Sequence, residues 1–438
     1  MSGLLFWLCG AELIAALVFG GGASQRLAAE GLPELLALPL LFMALPRALP
    51  GLLRAPLALS VLIGLVAIPL LQLIPVPAGL WTALPGRGVI VDIFHAAGLE
   101  LDWRSTTIVV GATWRSLFSL LPALAVFAAM STFDVDQRRL LMLLMAAMGV
   151  VSAMLAIFQI LGGEAGGFYF YSETSDGNGV GFFANSNHFG ALEFCLLPMS
   201  VAALADVRVR ARGGASIVWI AVVPALLLGL ALSGSRTAMI LGLMSAVATA
   251  ILVVPREIAR PGLRRTLMIG GAAAVVLVPL LLAAGFLGIL GRFGAKAVSE
   301  DERWNLASTT WASIPDYFPF GSGLGTFPSV FPLRRDDPAH FLAPFANHAH
   351  NDYLEVVLEA GLPAVALAAC FFAWLVGASR RAFSREPSGP WRQARAGLIA
   401  IWLLSLHSLW DYPLRTVAMS SIFAFAAALQ FNGNMKQR

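Results

Sequence analysis

The chain has 438 residues, 58% of them hydrophobic and only 12% charged, with a mean hydropathy of +0.79 and a formal net charge of +4. Soluble domains carry about 25% charged residues, and half of that cannot cover a water-facing surface; disorder is excluded because it needs low hydrophobicity and high net charge. What remains is a polytopic membrane protein, since a spanning helix takes about 20 apolar residues and this composition supplies roughly a dozen.

Apolar windows bounded by charge and Pro/Gly clusters predict twelve spans, near 4–20, 31–45, 57–75, 116–131, 140–161, 189–205, 216–233, 237–254, 266–290, 356–376, 396–410 and 416–430. The expected fold class is all-α, because a helix satisfies its own backbone in lipid. The long aliphatic runs lack the alternating ten-residue pattern of an outer-membrane barrel. The first run has no basic residue before it and reads as a retained span rather than a signal peptide. Cys9, Cys195 and Cys370 lie inside apolar runs and read as small core residues, not a disulfide framework. The chain is expected to be one integral membrane domain over 1–438, with 291–355 a long external loop between the ninth and tenth spans.

Alternate loops separate the basic residues by side. One side collects eighteen Lys and Arg, whereas the short loops of the other hold only Arg26, Arg236 and Arg415. By the positive-inside rule both termini are expected in the cytoplasm. The basic excess is therefore an orientation signal, and no nucleic-acid partner is expected.

The external side concentrates polar residues at span boundaries. Arg236 stands in Ser-Gly-Ser-Arg-Thr-Ala, a short break between two apolar runs. A charge near the bilayer is costly, and the planar fork of an arginine binds phosphate oxygens in pairs. Arg236 thus reads as an anion clamp, against a snorkelling interfacial arginine. Arg303, in Glu-Asp-Glu-Arg-Trp-Asn, reads equally as a second cation of that kind or as a salt-bridged surface residue. The glycines Gly321, Gly323 and Gly325 fail the dinucleotide fingerprint, with no strand before them and no acidic helix after, and read as a tight turn.

The densest cluster is Asn347-His-Ala-His-Asn-Asp-Tyr-Leu-Glu, in which His348, His350 and Asn351 precede an apolar helix with Glu355 on its first turns. A His-x-His pair invites zinc, but no third ligand stands at a recognisable spacing and no metal is expected. Acid–base chemistry suits an imidazole that titrates near neutrality. His350 leads directly into the helix start, while His348 reads as the less rigidly held of the two. Asn187 and His188 open the sixth span, as sugar contacts or helix caps. Asp411 and Arg415 in Asp-Tyr-Pro-Leu-Arg add to the same face, and His407 reads as a satisfied bundle residue.

Together these motifs resemble the O-antigen ligase and polymerase superfamily of bacterial inner membranes. They are the Ser-Arg-Thr-Ala hairpin, Arg-Trp ahead of Pro-Phe-Gly-Ser-Gly-Leu-Gly-Thr-Phe, then His-Asn-Asp-Tyr-Leu-Glu-Val-Val-Leu-Glu-Ala-Gly-Leu. The resemblance runs from about residue 140 to 430, and the first four spans carry none of it. It implies a metal-independent GT-C-type glycosyltransferase without cofactor. Such enzymes move a glycan from undecaprenyl pyrophosphate to an acceptor hydroxyl on the periplasmic face. On that resemblance Arg236 and Arg303 match the family's arginines and His350 its motif histidine. Asn187, His188, His348, Asn351, Glu355 and Arg415 are expected around the substrates. A ligase would pass the chain to lipid A-core, and a polymerase would extend the lipid-linked chain as O-antigen or exopolysaccharide. The reading leans to the ligase. A twelve-span transporter is the rival class, but no related halves are visible.

Overall fold

The computed structural model describes residues 2–22, 27–163, 166–175, 177–210, 216–253, 300–334 and 346–431; the expected span near 266–290 lies outside them. Helices α1 (Ser2–Phe19), α2 (Leu27–Leu52) and α3 (Pro56–Leu73) form on the first three apolar runs. Four prolines lie inside α2, which a spanning helix tolerates when its neighbours re-satisfy the freed backbone groups. The segment between the third and fourth expected spans is structured. It holds β1 (Pro75–Val76), α4 (Ala78–Thr82), α5 (Gly88–Ala96) and β2 (Arg104–Ser105), with β1 and β2 paired antiparallel. The fourth span then begins six residues before its apolar run, as α6 (Val110–Phe118) and α7 (Leu120–Thr132).

Helix α8 (Val135–Gly162) opens on a capping box, with Asp134 accepting from the backbone of Asp136 and Gln137. It is followed by α9 (Ser186–Arg210), α10 (Ser216–Leu232) and α11 (Arg236–Leu252). Beyond the undescribed stretch come α12 (Glu300–Tyr317), the short α13 (Phe327–Val330), α14 (Asp352–Phe383), α15 (Gly389–His407) and α16 (Val417–Ala428). Among the described residues six helices are long and apolar enough to cross a membrane, and four shorter apolar helices accompany them. The all-α polytopic membrane fold holds.

Two features place the site. The first is α9, whose Ser186–Ala205 stretch is buried along its whole length among α8, α10, α11 and α15. Small residues allow that approach: a Cβ on Gly190 would lie 2.4 Å from Cβ of Ala238. The centre of the bundle therefore delivers the N-terminal end of α9, with His188, to one face. The second is the glycine turn. Gly321, Gly323 and Gly325 all adopt positive φ, 82°, 116° and 79°, a region that favours glycine. A Cβ on Gly323 would stand 1.9 Å from Oγ1 of Thr107.

The motif-free first half grips this turn. Gln72 Nε2 donates to the Glu359 carbonyl and Gln72 Oε1 accepts from Leu324 N, both at 2.9 Å. Arg87 donates to the Pro85, Thr106 and Gly321 carbonyls, and Thr113 donates to the Leu324 carbonyl at 2.9 Å. Burial lowers the Arg87 guanidinium to about 10. Helix α14 is itself broken at Gly361 (φ 59°, ψ −136°), where Leu362 N donates to the Pro319 carbonyl at 2.8 Å.

At the opposite end of the bundle three of the counted arginines, Arg138, Arg392 and Arg395, are buried. Arg138 donates to the Met130, Ser131 and Phe431 carbonyls. Arg395 donates to those of Leu252, Ala382, Phe383 and Arg385. These carbonyls lie in or just after the last turns of their helices, where a helix runs short of partners, so Arg138 and Arg395 tie helix ends together.

Candidate active site

The site assembles where α9, α14 and the turn between α15 and α16 meet. Asn351 caps α14, its Oδ1 accepting from Leu354 N at 3.0 Å, while its Nδ2 donates to the Leu409 carbonyl at 2.9 Å. Asp352 N donates to the Ser408 carbonyl at 3.0 Å, and its Oδ2 accepts from Ser408 Oγ at 2.8 Å. The start of α14 is thus sewn to residues 408–409. This brings the histidine loop against Asp411 and Tyr412.

Asp411 is the centre of the first half. Its carboxylate lies 3.4 Å from His350 Nδ1, 3.7 Å from His188 Nε2 and 4.0 Å from His407 Nε2. Burial opposes ionisation of Asp411, but hydrogen bonding and charge from His188 and His350 outweigh it and hold the carboxyl well below its usual range. The Tyr412 ring is faced by three imidazoles, with centroids 4.9 Å from His188, 4.3 Å from His348 and 4.8 Å from His350. Burial, then the neighbouring Asp411 charge, push the Tyr412 phenol up.

Arg415 is the centre of the second half. It lies 2.8 Å from Glu359, 3.5 Å from Glu355 and 3.5 Å from Asp352. Burial would lower this guanidinium, yet the three carboxylates raise it above its ordinary value. Glu355 joins the halves: its Oε1 meets His348 Nδ1 at 2.8 Å and its Oε2 accepts from Ala349 N at 2.8 Å. Glu359 joins the site to the glycine turn by accepting from Phe327 N at 3.1 Å.

Of the residues singled out in the sequence, His188, His348, His350, Asn351, Glu355 and Arg415 come together. Asn187 is buried one residue from His188, and the cap of α9 is Asn185, whose Oδ1 accepts from Asn187 N at 2.8 Å. The charge of Arg303 acts on Tyr412, and its Nε is buried without a hydrogen-bond partner among the described residues. Arg236 is exposed at the first position of α11, capped by Ser235; Gly190 sits against Ala238 and Ser233 and sets this hairpin beside His188. The contact distances reverse one expectation. His348 has the shorter imidazole contact, whereas His350 holds a left-handed backbone with φ 51°. Tyr412, Glu359 and Asp352 were not singled out for a role. Their only signal was the run of polar residues between apolar ones.

Residues 220–369 match the model of the O-antigen ligase family. That stretch, about a third of the chain, is similar to the O-antigen ligase family. The match takes in Arg236, Arg303, His348, His350, Asn351 and Glu355, whereas His188 comes from α9 before it and Asp411 and Arg415 from the turn between α15 and α16 after it. A comparison with curated proteins returns no match. The match and the apolar helices together support a multi-pass membrane protein of the ligase or polymerase type.

Proposed function

We propose that the protein is the ligase-type member of this pair. It takes a glycan from undecaprenyl pyrophosphate and transfers it to a hydroxyl of lipid A-core on the periplasmic face, with both termini cytoplasmic. The observation that carries the catalytic assignment is the His350–Asp411 contact at 3.4 Å, next to the buried, unpartnered Nε of Arg303. A carboxylate facing Nδ1 favours the tautomer with the proton there, leaving Nε2 to accept the acceptor hydroxyl's proton. The acceptor oxygen then bonds to the anomeric carbon while the bond from that carbon to the pyrophosphate oxygen breaks. The carrier departs as its pyrophosphate, and Arg236 and Arg303 stabilise the charge that develops there.

Asn187, His188, His348 and Asn351 are assigned to the glycan and acceptor. Arg415 already shares its fork among three carboxylates, so it reaches a substrate only by giving one up; its first task is to hold Glu355. No metal enters this scheme.

Purified protein in nanodiscs, given undecaprenyl-pyrophosphate-linked polymer and lipid A-core, is expected to yield glycan-bearing lipid A-core. Lengthening of the lipid-linked chain with lipid A-core untouched would instead assign the polymerase reaction. A deletion strain reports the same choice, since long polymer accumulates on the carrier when a ligase is lost and single repeats when a polymerase is lost.

A further inference from the structure

Helix α12 is built inside out for a water-facing helix. The side turned to the protein carries Leu306, Thr309, Thr310 and Ser313, all buried, while Trp304 and Trp311 on the other side are 75% and 67% exposed. Two indole side chains one heptad apart share a face. Phe318 and Phe320, directly after the helix, are also exposed. Helix α5, next to it in space through Arg87 and Gly321, buries none of its residues and exposes Val89 and Ile93.

Both ends of α12 are fixed at the level where spans end. At its start, the Arg303 charge reaches Tyr412, in the turn that follows the last residue of α15. At its finish, the turn after Tyr317 is bonded by Gln72, the penultimate residue of α3, and meets α14 at its Gly361 break. A helix of 18 residues is about 27 Å long, and one whose two ends lie at span boundaries must run along the membrane surface rather than away from it. The lipid-facing side of α3, with Leu70, Leu71 and Ile74 exposed, continues without a polar break into exposed Leu80 of α4. Exposed indoles at that depth are what an interfacial helix uses as anchors.

We propose that α12 lies in the leaflet on the site's side, with Trp304 and Trp311 among the lipid headgroups and Arg303 turned inward, so that the bilayer itself fixes the height of this arginine. The occupant of the aromatic face is lipid, not a second copy of the chain.

Spin labels at S308C and A312C, on the Trp304 face, test this in a variant with the three native cysteines changed to Ala. The protein is held one copy per nanodisc of phosphatidylethanolamine and phosphatidylglycerol. The ratio of collision with oxygen to collision with a water-soluble nickel chelate is expected to be several-fold higher at both sites than at S384C, an exposed position at the other end of α14. Equal ratios overturn the proposal, as does a high ratio that appears only in discs holding two copies. As an independent check on the native cysteine background, headgroup-proximal brominated lipid should quench the tryptophan emission, and Trp304→Phe with Trp311→Phe should remove part of that quenching. Unchanged quenching in the double variant also overturns it.

Discussion

Replacing Asp411 by Asn removes one charge and little volume from the middle of three imidazoles. During transfer His350 takes a proton, and the cation so formed lies 3.4 Å from the Asp411 carboxylate. At an effective dielectric of about 20, a unit pair at that distance is worth about 5 kcal/mol. This is a ceiling, because the dipole of the Asn oxygen still faces Nδ1. Retaining about half leaves a loss of about 2–3 kcal/mol, or about a hundredfold in rate. The loss should fall on kcat, with the donor KM near wild type, because Arg236 and Arg303 remain. The assay is glycan transfer to lipid A-core by purified protein in nanodiscs at saturating donor, on a variant that elutes and melts like wild type. A rate within about threefold of wild type would refute the role of Asp411 in holding the base.

The two motif histidines should separate. His350→Ala should lower the transfer rate by about 10²- to 10⁴-fold, and His348→Ala, which frees Glu355 without removing the base, by about tenfold or less; the reverse ranking in steady-state assays would shift the catalytic role by two residues. Gly323→Ala places a Cβ 1.9 Å from Oγ1 of Thr107 at φ 116° and should cost about 3 kcal/mol, seen as a melting temperature lowered by several degrees, whereas an unchanged melting point would mean the turn adapts freely. EDTA should leave the transfer rate unchanged; inhibition reversed by a divalent ion would contradict a metal-free route. The Asp411 carboxyl sits below its ordinary value of about 3.9. Its folded form therefore binds fewer protons than the unfolded chain in that window, and its stabilisation is complete above about pH 4 and lost as the pH falls further. Melting followed from pH 5 to pH 3 should fall more steeply for wild type than for Asp411→Asn.

Spans were legible because lipid demands long apolar helices, and the runs at 57–75 and 140–161 could hardly be read otherwise. The fourth boundary slipped because the first turns of α6 carry Thr113, Arg115 and Ser116; Thr113 bonds to the Leu324 carbonyl and Ser116 lies against Gly325, more than two hundred positions away. The same distance hid Gln72 and Arg87, which have no motif and bond to the second half through its backbone. His348, His350 and Arg415 stood out as charges beside apolar runs. Their division of labour did not, because pairing depends on which helix ends meet. Nothing local in Asp-Tyr-Pro-Leu-Arg says that Asp411 turns towards imidazoles and Arg415 towards carboxylates.

That the two charge centres, Asp411 and Arg415, lie between the last two helices has a consequence for biosynthesis. As the chain emerges in order from its N-terminus, α9 and the histidine loop are made well before residue 411. Until then His350 lacks its carboxylate, and Glu355, Glu359 and Asp352 lack their cation. On the proposed function every earlier stage is therefore inert, and activity requires the closing hairpin, α15 with α16, to dock against α9. A chain ended before Asp411 keeps all of the residues that match the family yet has no assembled centre, so on the proposed function completion of synthesis is itself a checkpoint on glycan transfer.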